Sequence, residues 1–206
     1  MNRETLLGAV LAGGLSRRLG RDKALLPVDP TDPESLNWAE RSAAVLGPLC
    51  AEVVICGRDS APSGRRAIPD RRLSAGPLSG VESALLFGGG RAALTLPCDL
   101  PRMTSALLAR LTDDADPRAE VTAFRHADGL QEPLVALWMP RIAKSLTRFL
   151  DLEGRAAHYF LADRDVRWIE IPPETADQFE NVNTPEELSR WLGSETTPPP
   201  GDTCAP

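Results

Sequence analysis

A strand-like apolar segment that leads into a glycine-rich, basic loop restricts the fold of this chain more than any other feature. Residues 6–11 are apolar, and Gly13 and Gly14 follow them. Glycine lacks a Cβ atom, so the backbone there can adopt positive φ and approach a ligand closely. The segment therefore predicts a phosphate site at the carboxyl end of a strand, where backbone amides and Ser16 meet four cations, Arg17, Arg18, Arg21 and Lys23.

Short apolar segments alternate with segments of helical period along the whole chain, which predicts an α/β fold. The predicted strands cover residues 6–11, 52–56, 67–68, 92–96, 121–124, 133–137 and 166–171. The predicted helices cover 38–46, the segment between Gly76-Pro77 and Gly88, a segment capped by Thr104, 141–150, and a segment that begins with a capping box at 184–187.

The length and composition favour one domain. A chain of 206 residues with 42% hydrophobic content can build one substantial core but hardly two. We expect that domain to cover residues 1–193. Residues 194–206, SETTPPPGDTCAP, have no periodicity and little apolar surface, so we expect a disordered tail.

The charge of the chain argues against some partners. The formal net charge is −6, from 29 acidic residues against 23 Lys and Arg. This balance disfavours a broad surface for nucleic acid or for an anionic membrane. The basic cluster at 17–23 is a local exception and indicates a small anionic ligand; Lys23, one of only two lysines, belongs to it.

The cysteines and the amino terminus indicate a cytoplasmic protein. The chain has four cysteines, Cys50, Cys56, Cys98 and Cys204, and only two histidines. The cysteines form no CxxC pair, so neither a zinc site nor a disulfide framework is expected. Cys98 is interpreted as a small buried residue instead of a nucleophile. The apolar amino-terminal segment is too short for a secretory signal, and no segment approaches the roughly 20 apolar residues of a membrane-spanning helix.

Two common glycine motifs are absent from the loop. A Walker A loop needs GK followed by Ser or Thr, whereas Gly20 is followed by Arg21-Asp22-Lys23-Ala24. The sequence GGLSRRLG also does not match the GxGxxG dinucleotide fingerprint. The chain is therefore neither a standard P-loop NTPase nor a standard dehydrogenase.

A second informative motif, LPCDLP at residues 96–101, places Asp99 at the end of a predicted buried strand. Parallel strands end at one edge of a sheet, so Asp99 is expected beside the glycine loop. Carboxylate oxygen suits Mg²⁺, which commonly takes one or two protein carboxylates and substrate phosphates. A turn residue that caps the next element is the alternative role. Together with Lys23, the motif favours transfer of a phosphorus group.

Four motifs in order resemble those of small nucleotidyltransferases, and especially the molybdenum cofactor guanylyltransferases. The loop matches LAGGxSxRMGxDK, with Leu19 in place of the usual Met. GPLSG (76–80), LPCDLP (96–101) and NVNTPEEL (181–188) follow, and the resemblance spans residues 6–193. It implies a three-layer Rossmann-like nucleotidyltransferase fold with a mostly parallel central sheet.

The resemblance also implies a reaction: GMP is transferred from GTP to the phosphate of molybdenum-bearing molybdopterin, and pyrophosphate leaves. Mg²⁺ is the implied cofactor, bound by Asp99. The remaining implied site residues contact the nucleotide or neutralise its phosphates: Leu11, Ala12 and Gly13 through backbone groups, Asp70, and the cations Arg18 and Lys23. Cofactor delivery proteins and apo-molybdoenzymes are the implied protein partners.

Some positions leave the function open. The family often carries Asn near the end of its second strand, where this chain has Cys56 and Gly57. Arg155 could meet the acceptor phosphate or act as a helix-end cation. The alternatives are a cytidylyltransferase or another small-molecule nucleotidyltransferase, and an inactive nucleotide-binding accessory protein. Segments that resemble the acceptor half or the edge of the site contain Asn181, Asn183, Gln131, Glu132, Pro133 and Gly154.

Overall fold

A computed structural model of the chain describes residues 1–13, 22–29, 31–32, 34–61, 64–72 and 74–194. The strands in these ranges are β1 (Leu6–Leu11), β2 (Glu52–Cys56), β3 (Ala67–Ile68), β4 (Ala92–Pro97), β5 (Val121–Arg125), β6 (Gln131–Trp138) and β7 (Val166–Glu170). The α-helices are α1 (Trp38–Leu46), α2 (Pro77–Phe87), α3 (Ser105–Asp113), α4 (Ala143–Asp151), α5 (Ala157–Leu161) and α6 (Pro185–Ser194). Short 3-10 helices cover Arg3–Thr5, Lys23–Leu25, Pro140–Ile142 and Pro173–Phe179.

The strands form a single sheet in the order β3-β2-β1-β4-β6-β5-β7. Only β6 runs antiparallel to its neighbours β4 and β5 among the described strands; every other adjacent pair is parallel. The predicted mostly parallel sheet is therefore confirmed. Because β1 lies between β2 and β4, the segments that follow these three strands meet at one edge of the sheet.

Helices cover both faces of the sheet and make the predicted three layers. Successive residues of a strand point to opposite faces, and in β1 Val10 joins one core cluster while Leu11 joins the other. The first cluster contains apolar residues of α1 and α3, including Leu46 and Leu108. The second contains residues of α2, α4 and α5, including Phe160. Packing on both faces stabilises the sheet and therefore the positions of the loops that follow its strands.

Most predicted elements are confirmed to within one residue at their ends, and the larger differences concern β6, α4 and α5. Strand β6 begins at Gln131 and not at Pro133. Its pairing with β5 shifts register between Ala136 and Glu132, so Pro133 has no partner in β5 and its missing amide hydrogen costs no hydrogen bond there. Helix α4 begins at Ala143 because a 3-10 turn precedes it. Helix α5 was not predicted: it has five residues and no side-chain cap, and packing of Phe160 against Trp138 and Phe149 stabilises it.

The carboxyl-terminal helix packs back on the domain. Trp191 of α6 meets Trp38 of α1 edge to face, with ring centroids 5.8 Å apart, and Val182 joins the same cluster. Residues 195–206 of the expected tail lie outside the described residues, so the tail and the single-domain boundary remain predictions. No helix among the described residues is long and apolar enough to cross a membrane.

Candidate active site

The candidate site lies where β1, β2 and β4 end. The register pairs Leu11 of β1 with Cys56 of β2 and with Pro97 of β4. Beyond the strands, Ala12 N donates to Cys56 O at 3.0 Å and Cys98 N donates to Leu11 O at 3.2 Å. These bonds carry the backbone of β1 and β4 directly to Gly13 and Asp99. The structure therefore brings Gly13, the start of the glycine loop, and Asp99 of LPCDLP to the same edge of the sheet; residues 14–21 of the loop lie outside the described residues.

Lys23 links three distant segments at this edge. Its Nζ atom donates to Asp99 Oδ2 at 2.8 Å and to Asn183 Oδ1 at 2.8 Å. The Lys23 and Asp99 side chains are 14% and 19% exposed, so the pair is largely shielded from solvent. Lys23 begins a 3-10 helix, Asp99 follows β4 and Asn183 precedes α6. The chain thus places a cation, a carboxylate and an amide in direct contact.

Asp99 retains one carboxylate oxygen that suits a hard cation. Its Oδ1 atom is buried and has no hydrogen-bond partner among the described residues, while Oδ2 is held by Lys23. Within the described ranges, no group of three or more His, Cys, Asp or Glu residues is arranged to hold a metal. One protein carboxylate fits Mg²⁺, because this ion often completes its shell with substrate phosphates and water.

The predicted capping box at the start of α6 is present and it positions Asn183. Thr184 N donates to Glu187 Oε2 at 3.1 Å, and Glu187 N donates to Thr184 Oγ1 at 3.2 Å. Asn183 N also donates to Glu187 Oε2, at 2.6 Å. These backbone bonds lower the pKa of Glu187, because they favour its ionised form. The cap and the amide that contacts Lys23 therefore form one local structure.

Asp70 lies against the glycine backbone next to the site. A Cβ atom added at Gly13 would lie 3.2 Å from Asp70 Oδ2, and one added at Gly80 would lie 3.7 Å from Asp70 Oδ1. Asp70 Oδ1 is buried with no hydrogen-bond partner among the described residues. Burial raises the pKa of Asp70 from 3.8 to about 6, and the negative charge of Glu82 adds to the effect. The carboxylate therefore retains acceptor capacity for a ligand.

Gly57, where the sequence lacks the Asn of the resembling family, lies in direct contact with the backbone of Gly13. Gly57 has φ +86°, and a Cβ atom there would lie 2.6 Å from Gly13 N and closer still to Gly13 Cα. Such an approach is possible only without a side chain at position 57. The two backbones pack directly on each other at the end of β1 and β2.

Sequence reasoning missed the ion pair between Asp22 and Arg58. Arg58 Nη1 donates to Asp22 Oδ1 at 2.9 Å, and Arg58 Nη2 contacts Asp22 Oδ2. The signal that was available is a cation immediately after Gly57, at the edge of the sheet that also carries Lys23.

The remaining nucleotide-site predictions fall in two groups. Arg18 lies outside the described residues, as do Gly14, Arg17 and Arg21. Leu11 and Ala12 are buried, and Leu11 O and Ala12 N already bond within the sheet. The nucleotide contacts expected from residues 11–13 would therefore have to come from backbone groups other than Leu11 O and Ala12 N.

Of the two predicted acceptor segments, the one that contains Glu132 reaches this edge. Glu132 Oε1 lies 3.1 Å from His126 Nε2. Burial raises the pKa of Glu132; the contact with His126 opposes this effect, and the charge of Asp99 adds to it. Arg155 instead turns back on the chain: its Nη1 atom donates to Leu150 O and Gly154 O, which is the helix-end role.

The family model for the MobA-like NTP transferase domain matches residues 8–167. The chain belongs to this family. It is 33% identical to a molybdenum cofactor guanylyltransferase of Rhizobium leguminosarum bv. trifolii, over 93% of this chain and 95% of the relative. It is 36% identical to a probable molybdenum cofactor guanylyltransferase of Opitutus terrae, over 92% and 96%. The predicted family and the predicted nucleotidyltransferase class of enzyme are confirmed.

Solved structures confirm the predicted Rossmann-like nucleotidyltransferase fold of this MobA-like chain. Molybdopterin-guanine dinucleotide biosynthesis protein A of Archaeoglobus fulgidus superposes with a TM-score of 0.76 at 22% identity, over 91% of this chain and 97% of that one. A protein of Mycobacterium tuberculosis, crystallised in complex with manganese, superposes with a TM-score of 0.61 at 21% identity, over 94% and 100%.

Proposed function

We propose that this MobA-like protein transfers GMP from GTP to the phosphate of molybdenum-bearing molybdopterin. An oxygen of the acceptor phosphate attacks the α-phosphorus of GTP, the bond from that phosphorus to the bridging oxygen breaks, and pyrophosphate leaves. The observation that carries the proposal is the contact of Lys23 with Asp99 and Asn183 at the edge of the sheet where β1 and β4 end. Curated relatives named guanylyltransferases, similar over most of this chain, support the choice of GTP.

This reaction requires alignment and charge relief more than a strong base. The acceptor phosphate is already an anionic nucleophile, so no side chain has to remove a proton from it. Lys23 would neutralise part of the triphosphate charge, together with Arg18. The contacts of Lys23 with Asp99 and Asn183 fix the position of its ammonium group, so little reorganisation is needed when phosphate charge shifts.

Asp99 would hold a divalent ion, Mg²⁺ in this proposal, through its Oδ1 atom, while Oδ2 stays with Lys23. When bound, such an ion neutralises phosphate charge and orients the reacting groups. Leu11, Ala12 and Gly13 would contact the nucleotide through backbone groups, and Asp70 through its carboxylate. The free donors of a nucleoside suit Asp70, because Asp70 Oδ1 has no partner among the described residues.

The acceptor would enter from the β6 side of the site. Strand β6 runs antiparallel to β4, so its beginning, with Glu132, lies at the edge where Asp99 follows β4. We propose that the reaction takes place in the cytoplasm. Reduced cysteines support this location, since Cys50, Cys56 and Cys98 are buried free thiols among the described residues. Delivery proteins and apo-molybdoenzymes remain the proposed protein partners.

Substrate choice tests the proposal directly. The full chain is incubated with Mg²⁺, molybdopterin acceptor and each of the four NTPs, and pyrophosphate release and dinucleotide product are measured. GTP-dependent formation of the guanine dinucleotide supports the proposal. A preference for CTP contradicts the guanine assignment, and binding of nucleotide without product would indicate an accessory protein.

Substitution of the metal-binding carboxylate tests the mechanism. We expect Asp99→Ala and Asp99→Asn to lower kcat by about 1,000-fold or more, because both remove the negative charge offered to the ion. The matched control is Asp163→Asn, an exposed carboxylate before β7 at the opposite edge of the sheet, which should retain normal turnover. Near-normal Mg²⁺-dependent product formation by the Asp99 variants would refute the metal assignment.

A further inference from the structure

We propose that Arg58 is a positioning residue, which acts through Asp22 to place the Lys23 ammonium group. The proposal rests on the proposed function for the role of Lys23 in GMP transfer. Arg58 presents two nitrogens to the two oxygens of Asp22: Nη1 lies 2.9 Å from Oδ1, and Nη2 contacts Oδ2. A two-point contact between a guanidinium and a carboxylate fixes orientation as well as distance.

Asp22 transmits this orientation to Lys23. Its Oδ1 atom also accepts a hydrogen bond from Ala24 N at 3.2 Å, which caps the 3-10 helix Lys23–Leu25. Leu25 N donates to Asp22 O and Leu26 N to Lys23 O, each at 3.1 Å. Lys23 is the first residue of this helix, so the direction of its side chain follows from how Asp22 is held.

The origin of the Arg58 contact is itself fixed. Gly57, the preceding residue, packs on the backbone of Gly13, and Gly57 N donates to Ile68 O at 2.8 Å. Position 58 therefore has a rigid relation to the end of the sheet. From this position Arg58 contacts Asp22 at the edge of the sheet where Lys23 contacts Asp99.

The limited exposure of the Arg58 side chain favours a role beyond surface charge pairing. Arg58 is only 17% exposed, and Asp22 is 39% exposed. Both groups are held as ions: Arg58 lowers the pKa of Asp22, chiefly through the hydrogen bond, and Asp22 raises the pKa of Arg58. The alternative role, a direct contact of Arg58 with the triphosphate, predicts that Arg58→Met loses activity without faster hydrogen exchange at the amides of Ala24, Leu25 and Leu26.

A double-mutant cycle tests whether Arg58 and Asp22 act as one unit. Asp22→Asn keeps an oxygen that can cap the helix but removes the charge, and Arg58→Met removes the guanidinium. We expect each substitution to lower kcat/KM for GTP about tenfold, mainly through kcat, and the double variant to fall no further than the single variants. Arg58→Lys, which keeps a charge, should recover part of the loss. A double variant about 100-fold below wild type, or single variants with normal kcat/KM, would overturn the proposal.

The matched control is Arg91→Met. The Arg91–Glu52 pair has similar exposure and an Nη2–Oε2 distance of 2.9 Å, but it lies at the other end of β2. This variant should keep wild-type kinetics; a tenfold loss there would also count against the proposal, because any lost ion pair would then suffice.

Hydrogen exchange separates this proposal from the proposed function. In Arg58→Met, the amides of Ala24, Leu25 and Leu26 should exchange about tenfold faster than in wild type, whether or not GMP is the transferred group. If wild-type protein transfers no GMP, the proposed function fails, and faster exchange still supports the positioning of Lys23 by Arg58. Unchanged exchange at these amides would overturn it.

Discussion

The contact between Gly57 and Gly13 provides the sharpest test of how this site is built. The substitution Gly57→Ala adds one methyl group where φ is +86° and where that carbon would lie 2.6 Å from Gly13 N. The left-handed backbone conformation costs an L-residue about 1–2 kcal/mol. Forcing an extra methyl group into a packed site costs about a further 1–3 kcal/mol. We therefore expect the free energy of unfolding to fall by about 3 kcal/mol.

Gly129→Ala is the matched control, because it carries the cost of a left-handed backbone conformation but not the cost of a steric clash. Gly129 has φ +92°, in the hairpin between β5 and β6, and no heavy atom lies within 4 Å of a Cβ atom added there. Its expected loss is about 1 kcal/mol. The difference between the two variants, about 2 kcal/mol, measures the close approach of the two glycine backbones alone.

Urea unfolding followed by circular dichroism gives both free energies, and calorimetry gives the affinity for Mg²⁺·GTP. Gly57→Ala should weaken GTP binding at least about tenfold, because relief of the contact displaces Gly13 from the proposed nucleotide site. Gly129→Ala should bind GTP normally. Equal losses of stability in the two variants, or unchanged GTP affinity in Gly57→Ala, would refute this reasoning.

Two further predictions follow from burial. Since the pKa of Asp70 is raised from 3.8 to about 6, the folded protein binds a proton that the unfolded chain releases between these values, so stability falls as pH rises through that window. Asp70→Asn should therefore stabilise the fold by about 1 kcal/mol more at pH 8 than at pH 4 in urea unfolding, after a discount for partial exposure; a pH-independent effect would contradict this. Burial also raises the pKa of Cys98 to about 12, so in a Cys204→Ser variant it should resist Ellman's reagent at pH 8 until the protein is unfolded; rapid native labelling would indicate a reactive thiol.

The sequence predicted an element best where a capping or helix-ending residue marks its boundary. Helix α1 ends at Leu46 before Gly47 and Pro48, and α3 is capped by Thr104, which accepts from Leu107 N. The start of β6 depends instead on pairing with β5 across a hairpin, and no local pattern contains that pairing. Helix α5 depends likewise on aromatic contacts made only in the folded chain.

The candidate site shows the same division. Lys23 and Asp99 could be brought together from the sequence, because both follow strands whose carboxyl ends share one edge of a parallel sheet. The contact of Lys23 with Asn183 joins residues 160 positions apart, and the capping box alone predicted only a helix start. The pairing of Asp22 with Arg58 depends on how two loops meet, so neither residue could be assigned this partner in advance.

The charge balance at the site explains why a glycine loop alone would be insufficient for this chemistry. Lys23 is already paired with Asp99, and Arg58 with Asp22, so these four side chains bring no net charge to a triphosphate. Glu132 adds negative charge within electrostatic reach of Asp99. Favourable binding of a polyanion therefore requires further positive charge, which a divalent ion at Asp99 Oδ1 and the arginines of the 17–21 segment would supply. In this arrangement Lys23 holds Asp99 in place for the ion and keeps one cation at a fixed position for the triphosphate, while the net positive charge that favours phosphate binding comes from the ion and the arginines.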